Sequence, residues 1–338
     1  MTRTPFLLRC ALVTAVGLSV AACTAGGGAP ADAPADAPAA VPSSAAPSAT
    51  PSAPALPQSA APLPDDEMVW RYSAGSNRTI STVSTNGLTG ADLVVGEKNV
   101  AASLSPDRRT IVYIRREADD RASLRAVSAD GQSDTRLFAD GSTDCPKLRR
   151  PAVGVNGTLA IVCSPFDEGG EDVLNIMNTD GTLVKQLDHG QLGDATFSPD
   201  GSRVVYARDP YLPYKLGGAL FSAPTDGSSS PVRVLAGTNV NPVWSPTADE
   251  VAYVRLDGKR RSIGIVRVGA DGRGGGTRAL TTGSAYDQDP SWSPNGARLA
   301  FRRGADEPHL FIMKSDGSGA TRVVRSSGAV NAPVWTAR

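Results

Sequence analysis

Histidine is almost missing from this chain of 338 residues, which has only His189 and His309. That leaves little material for a histidine-dependent triad or a multi-histidine metal site. Net charge is missing too, since 34 Lys and Arg balance 34 Asp and Glu. Nucleic-acid binders usually carry a basic excess, so that class is excluded. Aromatic residues are sparse at 5%. There is no G-x-S-x-G elbow, no H-E-x-x-H and no G-x-x-x-x-G-K phosphate loop. Gly274-Gly275-Gly276 is glycine-rich but follows the Asp271-Gly272 turn and opens no helix. What the chain does have is 35 glycines and 26 prolines among short apolar runs, a composition of turns and strands.

The first 23 residues read as an address. Arg3 and Arg9 precede an apolar run of 12 residues, Ala11 to Ala22, too short for a stable bilayer-spanning helix. The run ends in Val20-Ala21-Ala22-Cys23, which resembles the lipobox of bacterial lipoproteins. The resemblance implies lipid transfer to the Cys23 thiol, removal of residues 1–22 and an extracytoplasmic, membrane-anchored protein. A cleaved signal with a chance cysteine is the alternative. In 24–64, 25 of 41 residues are Ala or Pro. Such a stretch cannot build a core, so 23–65 is expected to be a lipidated cysteine followed by a disordered linker.

From residue 66 the chain repeats. DPSWSPNGARLAF (289–301), NPVWSPTADEVAYV (241–254), DATFSPDGSRVVYA (194–207) and ASLSPDRRTIVYI (102–114) are copies of one unit, and RPAVGVNGTLAIVC (150–163) is a degenerate one. Pro199, Pro246 and Pro294 stand 47 and 48 residues apart. An Asn-Gly or Asp-Gly pair recurs at Asn86, Asp130, Asp180, Asp226, Asp271 and Asp316, at intervals of 44, 50, 46, 45 and 45. These dipeptides are expected to make two-residue type I′ hairpins. Each unit then holds four strands, A to D, and that period indicates a β-propeller. Met68–Tyr72 and the two runs after it lack a strand A, whereas Ala332–Trp335 is a strand A with nothing following. We therefore expect an all-β, monomeric, six-bladed propeller over 66–338, its ring closed by the C-terminal strand joining the N-terminal ones.

The series Trp-Ser-Pro-x-Gly, Leu-Ala-Phe and Asp-Gly resembles the TolB-like β-propeller family over essentially all of 66–338. Val155 in place of the proline, and Ala248-Asp249 in place of Asp-Gly, are departures. The family includes envelope proteins that bind partner proteins and propeller domains attached to hydrolases. TolB itself carries an additional N-terminal α/β domain, whose place is taken here by the linker, so TolB's particular partner chemistry does not carry over.

Cys145 and Cys163 fall in one unit, at the entry to strand A and the end of strand B, where a disulfide is plausible in an oxidising compartment. Two buried thiols are the alternative. Two sets of residues are binding candidates. Tyr211, Leu212, Tyr214 and Lys215 stand in a proline-rich B–C loop, either as a contact surface or folded over the rim. Arg150, Asp194, Asn241 and Asp289 enter successive inner strands and would form a polar ring at the channel mouth. Asp194 and Asp289 form a weak candidate cation site; capping of strand entries is the simpler account. No cofactor is expected. The function expected is a membrane-anchored module that binds an envelope protein or glycan, not an enzyme. A hydrolase or lyase using the acidic mouth is the alternative.

Overall fold

The computed structural model describes residues 55–335 apart from 75–76, 89, 95–97, 117–120, 140–144, 146, 150, 166–169, 210–217, 283–285, 307, 324–328 and 331. Residues 1–22, Cys23, Arg150, Tyr211, Leu212, Tyr214 and Lys215 lie outside this set. The described chain forms a six-bladed all-β propeller. Blade 4 shows the plan: strand A (Leu192–Phe197), B (Arg203–Arg208), C (Ala219–Pro224) and D (Val232–Leu235), antiparallel from axis to rim. Blades 2, 5 and 6 follow it, their inner strands being Asn99–Leu104, Asn239–Trp244 and Asp287–Trp292. In blade 3 strand A is split into Lys147–Leu148 and Ala152–Val153, both pairing with Leu159–Ser164. Blade 1 begins with Glu67–Ala74 as strand B, and Ala329–Val330 from the far end of the chain pairs with it. A second contact, between Val69 and Val334, uses two backbone hydrogen bonds of 2.7 and 2.8 Å.

Burial explains the residue choices. Strand B is covered on both faces by neighbouring blades, so it reads as continuous apolar runs such as Val204–Ala207, entirely buried. Strand D lies at the rim and is polar: all six residues of Gly274–Ala279 are exposed. The core is distributed over clusters between neighbouring blades. Trp244, Val251 and Tyr253 of blade 5 pack on Val205, Ala207 and Leu220 of blade 4. Trp335 and Met68 likewise pack on Ala300 and Leu310 of blade 6. Cys145 and Cys163 are bonded to each other, with Cα atoms 5.0 Å apart, in the cluster between blades 2 and 3.

The recurring turns differ from the type I′ expectation. All six C–D glycines have positive φ, from 66° to 89°, but the Asp or Asn before each does not. Each glycine N–H instead bonds the carbonyl three residues back, as Gly131 does to Ser128 at 2.8 Å. This is a type I turn closed by a left-handed glycine. The carboxylate stabilises it by accepting the N–H two residues on: Asp130 from Gln132, Asp180 from Thr182, Asp226 from Ser228, Asp316 from Ser318. The Ser-Pro turns between A and B use the same device at Asp200 and Asn295. Hydrogen bonds from Ser128, Thr182, Ser198 and Ser318 hold Asp130, Asp180, Asp200 and Asp316 below the usual carboxylate range, and the Ser228 backbone does so for Asp226. A carboxylate depressed in the folded state contributes stability above its unfolded value, about 3.9, and loses it as pH falls through the lower folded value. The urea midpoint is therefore expected to be flat from neutral pH down to about 5 and to fall below about 4. An Asp130→Asn, Asp180→Asn, Asp226→Asn, Asp316→Asn variant should show a shallower fall; an identical acid limb would show that these turns are not its cause.

The expected linker ends too late in the chain. Residues from 55 onward run against blade 2: Leu56 packs on its core and Leu63 is buried. The Leu63 N–H bonds the Arg108 carbonyl at 2.9 Å, and the Arg109 guanidinium bonds the carbonyls of Ser59 and Ala60 at 3.0 and 2.6 Å. Proline-rich backbone has few donors of its own but free carbonyls, which arginines satisfy.

Candidate functional site

The inner strands of blades 2 to 6 are interrupted at the same level. Strand A slips register against strand B at Ala101-Ala102, Gly193-Asp194, Asn241-Pro242 and Asp289-Pro290. Blade 3 is broken at the corresponding 149–151. Proline cannot donate to the ladder and favours such a bulge. Ala101, Asn241 and Asp289 take left-handed φ of 49°, 49° and 54°, which suits Asn and Asp better than most side chains. Asp194, Asn241 and Asp289 line one cavity, together with Ala102 of blade 2, Pro151 of blade 3 and Pro333 of blade 1. All six blades thus contribute to a mouth on the propeller axis.

The expected ring is present in three consecutive blades, but both of its carboxylates already have partners. The Asn241 amide donates to Asp194 at 2.8 Å. Asp289 is held by Arg302 through Nε at 2.9 Å and Nη2 at 2.8 Å, in a pair about four-fifths buried. Arg302 was not legible as a partner, because it reaches Asp289 diagonally across strands A and B. Among the described residues no group of three or more His, Cys, Asp or Glu is placed to share a metal ion. The cavity is about 60 Å³, room for a few waters but not for a sugar ring. In blade 2 the corresponding position is Ala101, and Asn99, at the start of the strand, accepts from Arg115 Nε at 3.0 Å.

The two ends of the axis differ in kind. At the turn end the lining repeats: Pro106, Pro199, Pro246 and Pro294 of the Ser-Pro turns surround a cavity of about 190 Å³ with Phe197 and Trp244. At the loop end the scaffold repeats but the side chains do not, being Ala, Asp, Asn and Asp in blades 2, 4, 5 and 6. Trp244, Trp292 and Trp335 are buried between blades, at most 4% exposed, so they are core rather than ligand platforms.

The TolB beta propeller domain family matches residues 150–338. The uncharacterized peptidase YuxL of Bacillus subtilis is 30% identical over 104 residues, 28% of this chain and 15% of that protein. The Tol-Pal system protein TolB of Geobacter sulfurreducens is 34% identical over 87 residues, 25% of this chain and 19% of that protein. The match spans less than a fifth of either relative. The crystal structure of TolB from Acinetobacter baumannii superposes with a TM-score of 0.66 at 18% identity, covering 81% of this chain and 67% of that one. At that identity the likeness is one of fold.

Proposed function

Because the chain belongs to the TolB beta propeller domain family, we propose that it is a binding module, a propeller tethered by lipid on Cys23 to the extracytoplasmic face of a bacterial membrane. Its loop end recognises an envelope protein or a glycan. The observation that carries this reading is the loop-end mouth: a repeated, bulged scaffold presents Ala101, Asp194, Asn241 and Asp289 from four of its blades around a shallow opening. That is how a recognition surface varies on a constant frame. In the second reading Asp194, Asp289 and Arg150, with a divalent ion, hydrolyse a substrate, and the partial likeness to a peptidase favours it. Against it stand the small cavity and the commitment of Asp194 to Asn241 and of Asp289 to Arg302.

A photo-crosslinking residue at position 241 in intact cells is expected to trap a discrete envelope partner, and one at position 226, on the turn end, to trap none. With Cys23→Ser the protein should leave the membrane fraction and the crosslink should be lost. Equal capture from both positions would remove the loop-end assignment, and membrane retention without Cys23 would remove the lipid anchor.

A further inference from the structure

Strand B carries a repeated pair that the turn motifs obscure: an aromatic residue and, two positions on, an arginine. It reads Tyr113/Arg115, Tyr206/Arg208, Tyr253/Arg255 and Phe301/Arg303 in blades 2, 4, 5 and 6. In blade 2 both members meet Asp134: the Tyr113 hydroxyl donates at 2.9 Å and Arg115 Nη2 lies 3.9 Å away. In blade 4 both meet Asp188, with the Tyr206 hydroxyl at 2.5 Å and Arg208 Nη1 at 3.4 Å. Arg303 of blade 6 forks onto Asp287 at 2.6 and 2.9 Å. Burial raises both phenols, Tyr113 to about 12, so each remains a donor to its carboxylate.

Blade 5 has the pair without the acid. Tyr253 is only 7% exposed. Neither its hydroxyl nor the Arg255 guanidinium has a hydrogen-bond or ion-pair partner among the described residues. The reason is local. Asp188 faces Leu174 across strands C and D of blade 3, and the matching partner of Leu220 in blade 4 is Leu235. Asp134 faces Val127 in blade 2, and the matching partner of Val268 in blade 5 is Gly274. Those two acid positions are apolar or bare here, and the third, Asp287 opposite Arg303 in blade 6, is matched by Asn239 opposite Arg255, a neutral amide that donates to the Ala236 and Gly237 carbonyls. Beside the unpartnered Tyr253 and Arg255 lies a cavity of about 290 Å³, lined by these two with Arg260, Ser262 and Thr281 among others. Gly264 makes room for it: a Cβ there would lie 2.7 Å from the Tyr253 hydroxyl. Thr281 Oγ1 accepts the Ile263 N–H at 2.9 Å and keeps its own proton to donate. Asp257, also in the lining, pairs with neither free arginine. Arg278 is already held by Glu250 and the Ser315 carbonyl.

We propose that this face of blade 5 is a binding site for the carboxylate of a small, hydroxyl-bearing ligand, of which a uronic acid sugar is the type. The carboxylate takes the place that Asp134 and Asp188 fill in the sister blades, receiving the Tyr253 hydroxyl and the Arg255 fork. The serine and threonine hydroxyls meet the remaining polar atoms, and Arg260 adds charge at the entrance. The site is separate from the axial mouth and from the Cys23 anchor, and stands or falls without them.

Saturation-transfer NMR on the full chain tests it, with glucuronate as the probe and glucose as the probe lacking the carboxylate. Glucuronate is expected to bind saturably and glucose at least about tenfold more weakly. Arg255→Gln should weaken glucuronate about tenfold or more and Tyr253→Phe about threefold, the loss of a charged and of a neutral hydrogen bond. Lys259→Gln, at the hairpin tip and outside the lining, should change nothing. Matching thermal melts guard against misfolding, and Tyr253→Phe removes only the hydroxyl. The proposal is overturned by absence of glucuronate binding, by equal binding of glucose, or by equal losses in Lys259→Gln and Arg255→Gln.

Discussion

Arg108→Ala is expected to lower the thermal midpoint by about 10 °C, and Arg108→Gly by less. The side chain is 7% exposed and its guanidinium donates to four carbonyls: Leu63 at 3.0 Å, Pro64 at 2.6 Å, Glu67 at 2.8 Å, and Trp335. Three of these lie in the segment entering the first blade, and the fourth is the last described residue. One residue in a turn of blade 2 therefore holds the two segments that meet in blade 1. Burial lowers the affinity of Arg108 for its proton, opposed by Asp65 and Glu67, yet the group stays charged at any working pH. Hydrogen bonds from a charged donor contribute roughly 1.5–3 kcal/mol each but do not add fully, so their joint loss should cost about 3–5 kcal/mol. For a domain of this size that is on the order of 10 °C.

The two substitutions differ because Arg108 stands where the sister turns have glycine. Its φ is 60°, against 72° for Gly201 and 68° for Gly296. Alanine keeps that strain and loses the clamp, while glycine loses the clamp but relieves roughly 1 kcal/mol of strain. Differential scanning calorimetry should therefore rank wild type above glycine and glycine above alanine. A midpoint unmoved by either substitution would show that these two segments are held by other contacts. If alanine proved more stable than glycine, the strain argument would fail.

This clamp shows where sequence and structure part company. Ser105-Pro106-Asp107-Arg108 differs visibly from Ser198-Pro199-Asp200-Gly201, so a departure at position 108 can be read directly. Its partners cannot, because they are carbonyls up to 227 residues away. The blade count was legible because each turn repeats the same local chemistry, a carboxylate or amide capping the N–H two residues on. The boundary of the linker was not. Residues 55–64 share the Ala, Pro and Ser composition of the stretch before them, and what fixes them is arginines of blade 2. At the axial mouth, the alignment of Asp194, Asn241 and Asp289 followed from the repeat. The Arg302 partner of Asp289 comes from cross-strand geometry. The aromatic and arginine pairs of strand B were visible in sequence, but only the positions of Asp134 and Asp188 reveal that blade 5 lacks their acid.

Reduction of the Cys145–Cys163 bond, or Cys145→Ala with Cys163→Ala, is expected to produce the other large effect. The bond spans 18 residues, and closing a loop of that length stabilises by about 3 kcal/mol in the chain-entropy account. Its location should make the effect local. Blade 3 has the broken strand A, with only two residue pairs on either side of the interruption: Leu148 and Lys147 to Cys163 and Ser164, and Val153 and Ala152 to Leu159 and Ala160. An inner strand so short is weakly held by its ladder, and the disulfide ties its outer piece to strand B beside the Leu148–Cys163 pair. Without it, Lys147 to Arg149 should open before the rest of the propeller. Trypsin should then cut after Lys147 or Arg149 at least about tenfold faster in reduced than in oxidised protein, with the midpoint falling by about 6–10 °C. Cleavage spread evenly over the blades would indicate global unfolding instead, and unchanged cleavage would mean that packing alone holds this strand. The same piece carries the chain to Pro151, which lines the axial mouth beside Asp194. Opening it should therefore disturb the loop end while leaving the turn end intact, so reduction is expected to abolish the crosslink from position 241 at temperatures where the propeller is still folded.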